Sequence, residues 1–185
     1  MMRDMVIGSV VAAIAMFLWG FLFWGVGLID PFAHTNADAQ QAVAKALQDK
    51  LPTDGVYFVP DRTLESPDAW AQSHTKGPIA TVSIMKSGAD PMAASKLIAG
   101  FVHMLVATII LGTIMMVSNR PSYLERLQLG ALVGIGGTVF ANLTQPIWFD
   151  SPWGYHLTNG FYQLVAWLIA AAILAYFVRR KTAFI

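Results

Sequence analysis

Apolar positions in this chain are gathered into four long runs, and most polar ones into a single block between the first and second. Residues 5–29 carry no charge over 25 positions, enough to cross a hydrocarbon core of about 30 Å at about 1.5 Å per residue. A second run starts at Asp90-Pro91, an N-cap followed by a helix-compatible proline, and reaches residue 117 or 118. Its length of about 42 Å exceeds the core, so its first turns stand outside. The third run opens at Pro121 and includes residues 129–148, and the fourth covers residues 157–178. Ser118-Asn119-Arg120-Pro121 closes the second helix, and Pro146 with residues 150–154 breaks the third. The pattern predicts an all-α membrane bundle of four transmembrane helices with a small α+β extracytoplasmic insertion between helices 1 and 2. Its divisions are helix 1 over residues 1–30, the insertion over 31–90, and helices 2 to 4 over 91–185. A cleaved signal peptide is the competing reading of the first run, because Arg3 precedes it and Ala37-Asp38-Ala39 follows. The run is far longer than the roughly 7 to 15 residues of such a segment, so an uncleaved anchor is expected.

The polar stretch over residues 30–96 holds both charge signs and six prolines. Asn36 is placed to cap a helix over residues 37–51, with Ala42, Val43, Ala46 and Leu47 on one modest apolar face and Pro52 as a stop. GVYFVP at 55–60 and PIATVSIM at 78–85 are runs of β-formers bounded by breakers, which predicts two strands. Between them Ser66-Pro67-Asp68 gives cap, N1 proline and first-turn acid for a short helix carrying Trp70. Two strands do not hold together alone in water, so this sheet needs covering by a helix, the bundle or a partner.

Within the third run, Gly130, Gly134, Gly137 and Ala141 fall at i, i+4, i+7 and i+11 and form one side-chain-poor stripe. Close backbone approach through small residues is a main source of helix association in lipid, so the stripe is expected to face the inside of the bundle. Gly8, Ala12 and Ala15 offer a shorter face of the same kind in the first run. Counting inward from the outer helix ends puts His103, Asn142 and Gln163 at a common depth of roughly 9 to 11 Å. Thr144, Gln145 and Asn159 lie slightly higher. Such a layer either holds a headgroup or small ligand between helices or is an internal hydrogen-bond cluster fixing helix register. The candidate ligand-binding residues are therefore His103, Asn142, Gln145, Asn159 and Gln163.

Composition agrees with the pattern. Hydrophobic residues make up 56% of the chain and charged ones 12%, with a mean hydropathy of +0.54, outside the usual soluble mix. A net charge of +1 without a basic stripe gives no support to nucleic-acid binding. Zero cysteines exclude disulfides, thiolate metal sites and a cysteine nucleophile. Arg3, Arg120, Arg126, Arg179, Arg180 and Lys181 flank one set of span ends, whereas the connection around Asp150 has no Lys or Arg. The basic-residue asymmetry places both termini in the cytoplasm. The stretch of residues 30–96 also holds six basic residues, but segments longer than about 60 residues cross largely regardless of charge.

Catalytic patterns are weak. His103 lacks a second histidine at its depth for a haem, since His156 is nearer the surface and His34 and His74 lie in the insertion. Asp150, Ser151 and His156 have the residue types of a nucleophile, base and orienter, but no strand-turn-helix elbow surrounds the serine, and a capped reverse turn accounts for them. No acidic or basic residue stands in the middle of any run, which argues against an ion-coupled pump. No catalytic residue, metal or cofactor is assigned.

With GVYFVP at 55–60, GPIATVSIMKSGADPM at 77–92 and four runs around them, the chain resembles a group of small uncharacterised bacterial inner-membrane proteins over most of its length. The resemblance implies a bacterial plasma membrane and an outward-facing domain, and no activity. The expectation is a non-enzymatic accessory or assembly subunit in contact with membrane lipids and a protein partner or second copy. The alternative is lipid or small apolar-ligand binding, or passive transport, through the polar layer.

Overall fold

The computed structural model of the protein describes residues 2–178. In chain order they form α1 (Met2–Gly20) running into a π-helical turn (Phe21–Gly25), α2 (Ala37–Lys50), β1 (Gly55–Val59), α3 (Pro67–Lys76), β2 (Ala80–Ile84), α4 (Ala94–Val117), α5 (Tyr123–Trp148) and α6 (Trp153–Phe177). Four helical stretches are long and apolar enough to cross a membrane: Met2–Gly25, Ala94–Val117, Tyr123–Trp148 and Trp153–Phe177. The strands form one two-stranded sheet. The fold is thus predominantly helical and compatible with a polytopic membrane protein. Arg179, Arg180 and Lys181, which weigh in the orientation argument, lie outside the described residues.

Several boundaries differ from expectation, each for a local reason. The first span does not stay α-helical to residue 29. From Phe21 the bonding shifts to i→i+5, with Val26 N–H on the Phe21 carbonyl at 3.0 Å and Leu28 N–H on that of Phe23 at 3.2 Å. Such bonding brings residues five apart to one side, and Trp19 and Trp24 both reach the Tyr162 ring, at 6.3 and 5.6 Å between centroids. Helix α4 starts at Ala94 rather than Asp90, and its N-cap Ala93 makes no side-chain cap bond. Helix α5 starts after Ser122 rather than at Pro121, through a reciprocal capping box. Glu125 N–H donates to Ser122 Oγ at 3.2 Å, and Ser122 N–H donates to Glu125 Oε2 at 3.0 Å. Pro146 does not break α5. It lies in the last turn, where it deprives only the Asn142 carbonyl of a helix donor, and Phe149 N–H closes the end on the Gln145 carbonyl at 3.0 Å. Helix α6 begins directly after Pro152, earlier than residue 157.

The described residues fall into two compact units. One contains Pro91–Leu143 with the residues before Phe32 and after Trp153, and the other contains Phe32–Asp90 and Thr144–Trp153. Residues 144–153 therefore group with the insertion rather than with the remainder of 91–185.

In the first unit the core is a cluster around Met5, Ala12, Met16, Leu111, Met115, Ala166, Ala170, Ala171 and Leu174. Helices α1 and α4 are clasped by a reciprocal pair of bonds, Thr108 Oγ1 to the Ser9 carbonyl at 2.9 Å and Ser9 Oγ to the Thr108 carbonyl at 3.3 Å. Helices α5 and α6 meet along rows of residues four apart, in rungs that advance on α5 as they recede on α6. Arg126 Nε donates to the Ala175 carbonyl at 2.9 Å. A methyl group added at Gly130 would stand 2.6 Å from Ala171 Cβ, and one at Gly134 would stand 2.5 Å from Trp167 Cβ. The next rungs are Thr138 and Asn142, both buried. Within the chain the predicted stripe divides. Gly130 and Gly134 are buried contacts, but Gly137 and Ala141 are exposed, and Gly137 has nothing within 4 Å of where its Cβ would be. Two helices packed along i±4 ridges select residues 130, 134, 138 and 142, whatever their size.

The second unit holds its shape by local devices. Asn36 accepts the Ala39 N–H at 2.8 Å and Ser66 the Ala69 N–H at 3.3 Å, the two N-caps expected. β1 and β2 pair antiparallel, with Gly55 opposite Ile84 and Val59 opposite Ala80. Lys86 secures one end of the sheet, its N–H donating to Asp54 Oδ1 at 2.7 Å and its Nζ to the Leu51 carbonyl at 2.6 Å. No residue of Phe32–Asp90 is buried.

Candidate functional site

Two places bring polar and aromatic groups together. The first lies between α5 and α6. Asn142 Nδ2 donates to Gln163 Oε1 at 2.9 Å and to the Thr138 carbonyl at 3.0 Å, while Asn159 Nδ2 donates to Asn142 Oδ1 at 2.7 Å. Asn142 is thus bonded through both atoms of its amide, a clamp that fixes the register of the two helices. Beside it, Thr138 Oγ1 is buried without a hydrogen-bond partner.

The structure joins three of the five predicted residues and sets His103 apart from them. His103 is exposed on α4. Thr108, Leu111, Gly112 and Met115 are the buried residues of that helix, and His103 stands about 140° around from Thr108 at 100° per residue. Depth alone could not reveal this angular separation. Gln145 stands one turn further along α5 than Asn142, and its carbonyl accepts the Phe149 and Ser151 N–H groups.

Arg126, one of the basic residues flanking the span ends, is only 4% exposed. Its Nε reaches the Ala175 carbonyl, and its Nη1 reaches the carbonyls of Arg120 and Pro121, all at 2.9 Å. Ala175 is in the last turn of α6, whose carbonyls lack helix partners and carry the negative end of the helix dipole, so a guanidinium there is doubly favoured.

The second place is an open cleft of about 490 Å³ in the Phe32–Asp90 and Thr144–Trp153 unit. Its walls include Phe58 of β1, the turn over residues 60–63, Trp70 and His74 of α3, Thr81 of β2, and Trp148 and Phe149. Trp70 and His74 are four apart, hence on one face of α3, with ring centroids 4.9 Å apart. The Trp70 indole N–H donates to the Pro60 carbonyl at 3.2 Å, tying α3 to the turn. Phe58 stacks on Phe149 at 5.5 Å with 17° between planes. Asp61 Oδ1 accepts the Thr63 N–H and hydroxyl, both at 2.8 Å. These bonds, the backbone one first, hold the Asp61 carboxyl below its usual range.

Asp150 lies 3.6 Å from His74 Nε2 through Oδ2, so its partner is His74. His156 instead packs edge-on against Tyr155. Asp150 takes a left-handed conformation, φ +51°, which aspartate tolerates in turns. The spacing of Trp70 and His74 was readable as an aromatic face on a short helix. Nothing local announces a contact between positions 74 and 150. Compared with known proteins, the chain matches no family model, no curated protein and no solved structure.

Proposed function

We propose that this chain is a non-enzymatic accessory or assembly subunit of a bacterial inner membrane. In this reading both termini are cytoplasmic and residues 32–90 are displayed on the far side to a protein partner. One observation carries the reading: no residue of Phe32–Asp90 is buried, although the segment contains two helices and a sheet. Val43, Val56, Phe58, Val59, Leu64, Ile79 and Met85 are all exposed. Segments that bury so little sit at the low-stability end of a fold and gain most when a partner covers them. The polar layer gives less support to ligand binding or passive transport, because Asn142, Asn159 and Gln163 are bonded to one another.

The test is gentle solubilisation from the native membrane followed by native mass measurement and crosslinking from Val56 and Met85 replaced by a photoreactive residue. A species heavier than the 20.2 kDa chain, with crosslinks from both positions to one protein, is expected. A lone monomer at cellular abundance, without crosslinks, refutes the proposal.

A further inference from the structure

One wall of the cleft beside α3 is the end of a membrane-capable helix. Trp148, which lines the cleft, is the last residue of α5, and Phe149, the next in the chain, lines it too. The stretch Tyr123–Trp148 is long and apolar enough to cross a bilayer, and an aromatic side chain that closes such a span stands at the headgroup boundary. Phe58 of β1 stacks on Phe149, and residues 144–153 share one compact unit with Phe32–Asp90. The cleft is therefore held, through its own wall, where hydrocarbon meets water.

Its lining matches that place. Phe58, Val59, Ile79, Trp148 and Phe149 line it and all are exposed, an apolar area that is favourably covered by another apolar body. Charge gives no competing preference. Asp61 and Arg62 are adjacent and opposite in sign, Arg62 acts on the Asp61 carboxylate, and His74 has Asp150 at 3.6 Å. The volume of about 490 Å³ is in the range of ligand pockets, roughly 300 to 1,000 Å³.

We infer that this cleft takes up an acyl chain of a bilayer phospholipid. The chain passes from the end of α5 along Trp148 and Phe149 to Phe58 and Trp70, and the headgroup stays at the membrane surface. The inference rests on α5 as a membrane span and not on the partner role proposed above.

The test uses the full chain in phosphatidylcholine nanodiscs doped with phosphatidylcholine that carries a diazirine at the end of one acyl chain. Illumination followed by peptide mapping locates the adducts. They are expected in the four spans and, outside them, in residues 58–63 and 70–81, with none in α2. Thr81→Trp and, independently, Ile79→Trp fill the cleft from the sheet side and should remove most of the adducts at 58–63 and 70–74 while those in the spans persist. Val43→Trp, an exposed position on α2 outside the cleft, should change neither. Adducts confined to the spans overturn the inference and leave the bundle in the membrane. Equal yields in α2 and at the cleft, or cleft adducts unchanged in both filling variants, overturn it as well. Unchanged circular dichroism in each variant separates a filled cleft from a lost fold.

Discussion

The two units of this protein solve the same problem in opposite ways. In the unit built on α1, α4, α5 and α6, buried polar groups other than the Thr138 hydroxyl are matched: Ser9 with Thr108, Asn142 with Gln163 and Asn159, Arg126 with three carbonyls. In the stretch Phe32–Asp90 nothing is buried, and order rests on two N-caps, one strand pair and turn bonds exposed to their surroundings. A hydrogen bond between groups screened from water gains from the low dielectric, and its loss strands a partner, whereas an exposed one exchanges readily with solvent. The first unit is thus specified by pairwise fit and the second by local backbone preference. Substitutions should propagate in the first and stay local in the second.

The largest effect is expected where backbones are closest. Gly134→Leu drives a side chain into Trp167, whose Cβ already lies 2.5 Å from the position of an added methyl, and should cost roughly 3 kcal/mol. Gly137→Leu meets open space and should be near neutral. Unfolding in mixed micelles of the two variants side by side measures the contrast, and equal losses would remove the ridge packing of α5 on α6. Next in size, Arg126→Met leaves the Ala175, Arg120 and Pro121 carbonyls without their donor. A loss of roughly 2 to 3 kcal/mol is expected by the same assay, with Arg126→Lys intermediate because an ammonium cannot reproduce the fork.

Asn142→Leu removes the hub of the amide cluster and should cost roughly 1 to 2 kcal/mol. His103→Leu, on the exposed face of α4, should cost nothing measurable in the same titration. A matching loss at His103 would restore it to the layer from which the fold removes it.

The smallest effect belongs to the second unit. The folded-state pKa of Asp61 is depressed by the Thr63 bonds, so its contribution is complete above the ordinary carboxylate value of about 3.9 and is lost as pH falls through the lower folded value. Acidification below that ordinary value should speed exchange of the Thr63 amide while leaving amides of α1 and α6 unaffected. An exchange rate for Thr63 indifferent to acid would detach the turn from the Asp61 carboxylate.

The sequence by itself determined whatever depends on neighbours a few positions apart. Four apolar runs gave the membrane-capable helices, Asn36 and Ser66-Pro67 gave the starts of α2 and α3, and two β-rich runs between breakers gave the strand pair. The Ser122-x-x-Glu125 capping box was equally local and equally legible, although Pro121 was the more conspicuous start signal. Only tertiary structure decided rotation and long-range partners. It turned α5 so that Thr138 and Asn142 continue from Gly130 and Gly134, turned α4 so that His103 faces outward, buried Arg126 on the end of α6, and set Asp150 beside His74. The physical reason is that a helix's period fixes which residues share a face, but only the crossing of a second helix selects which face is covered.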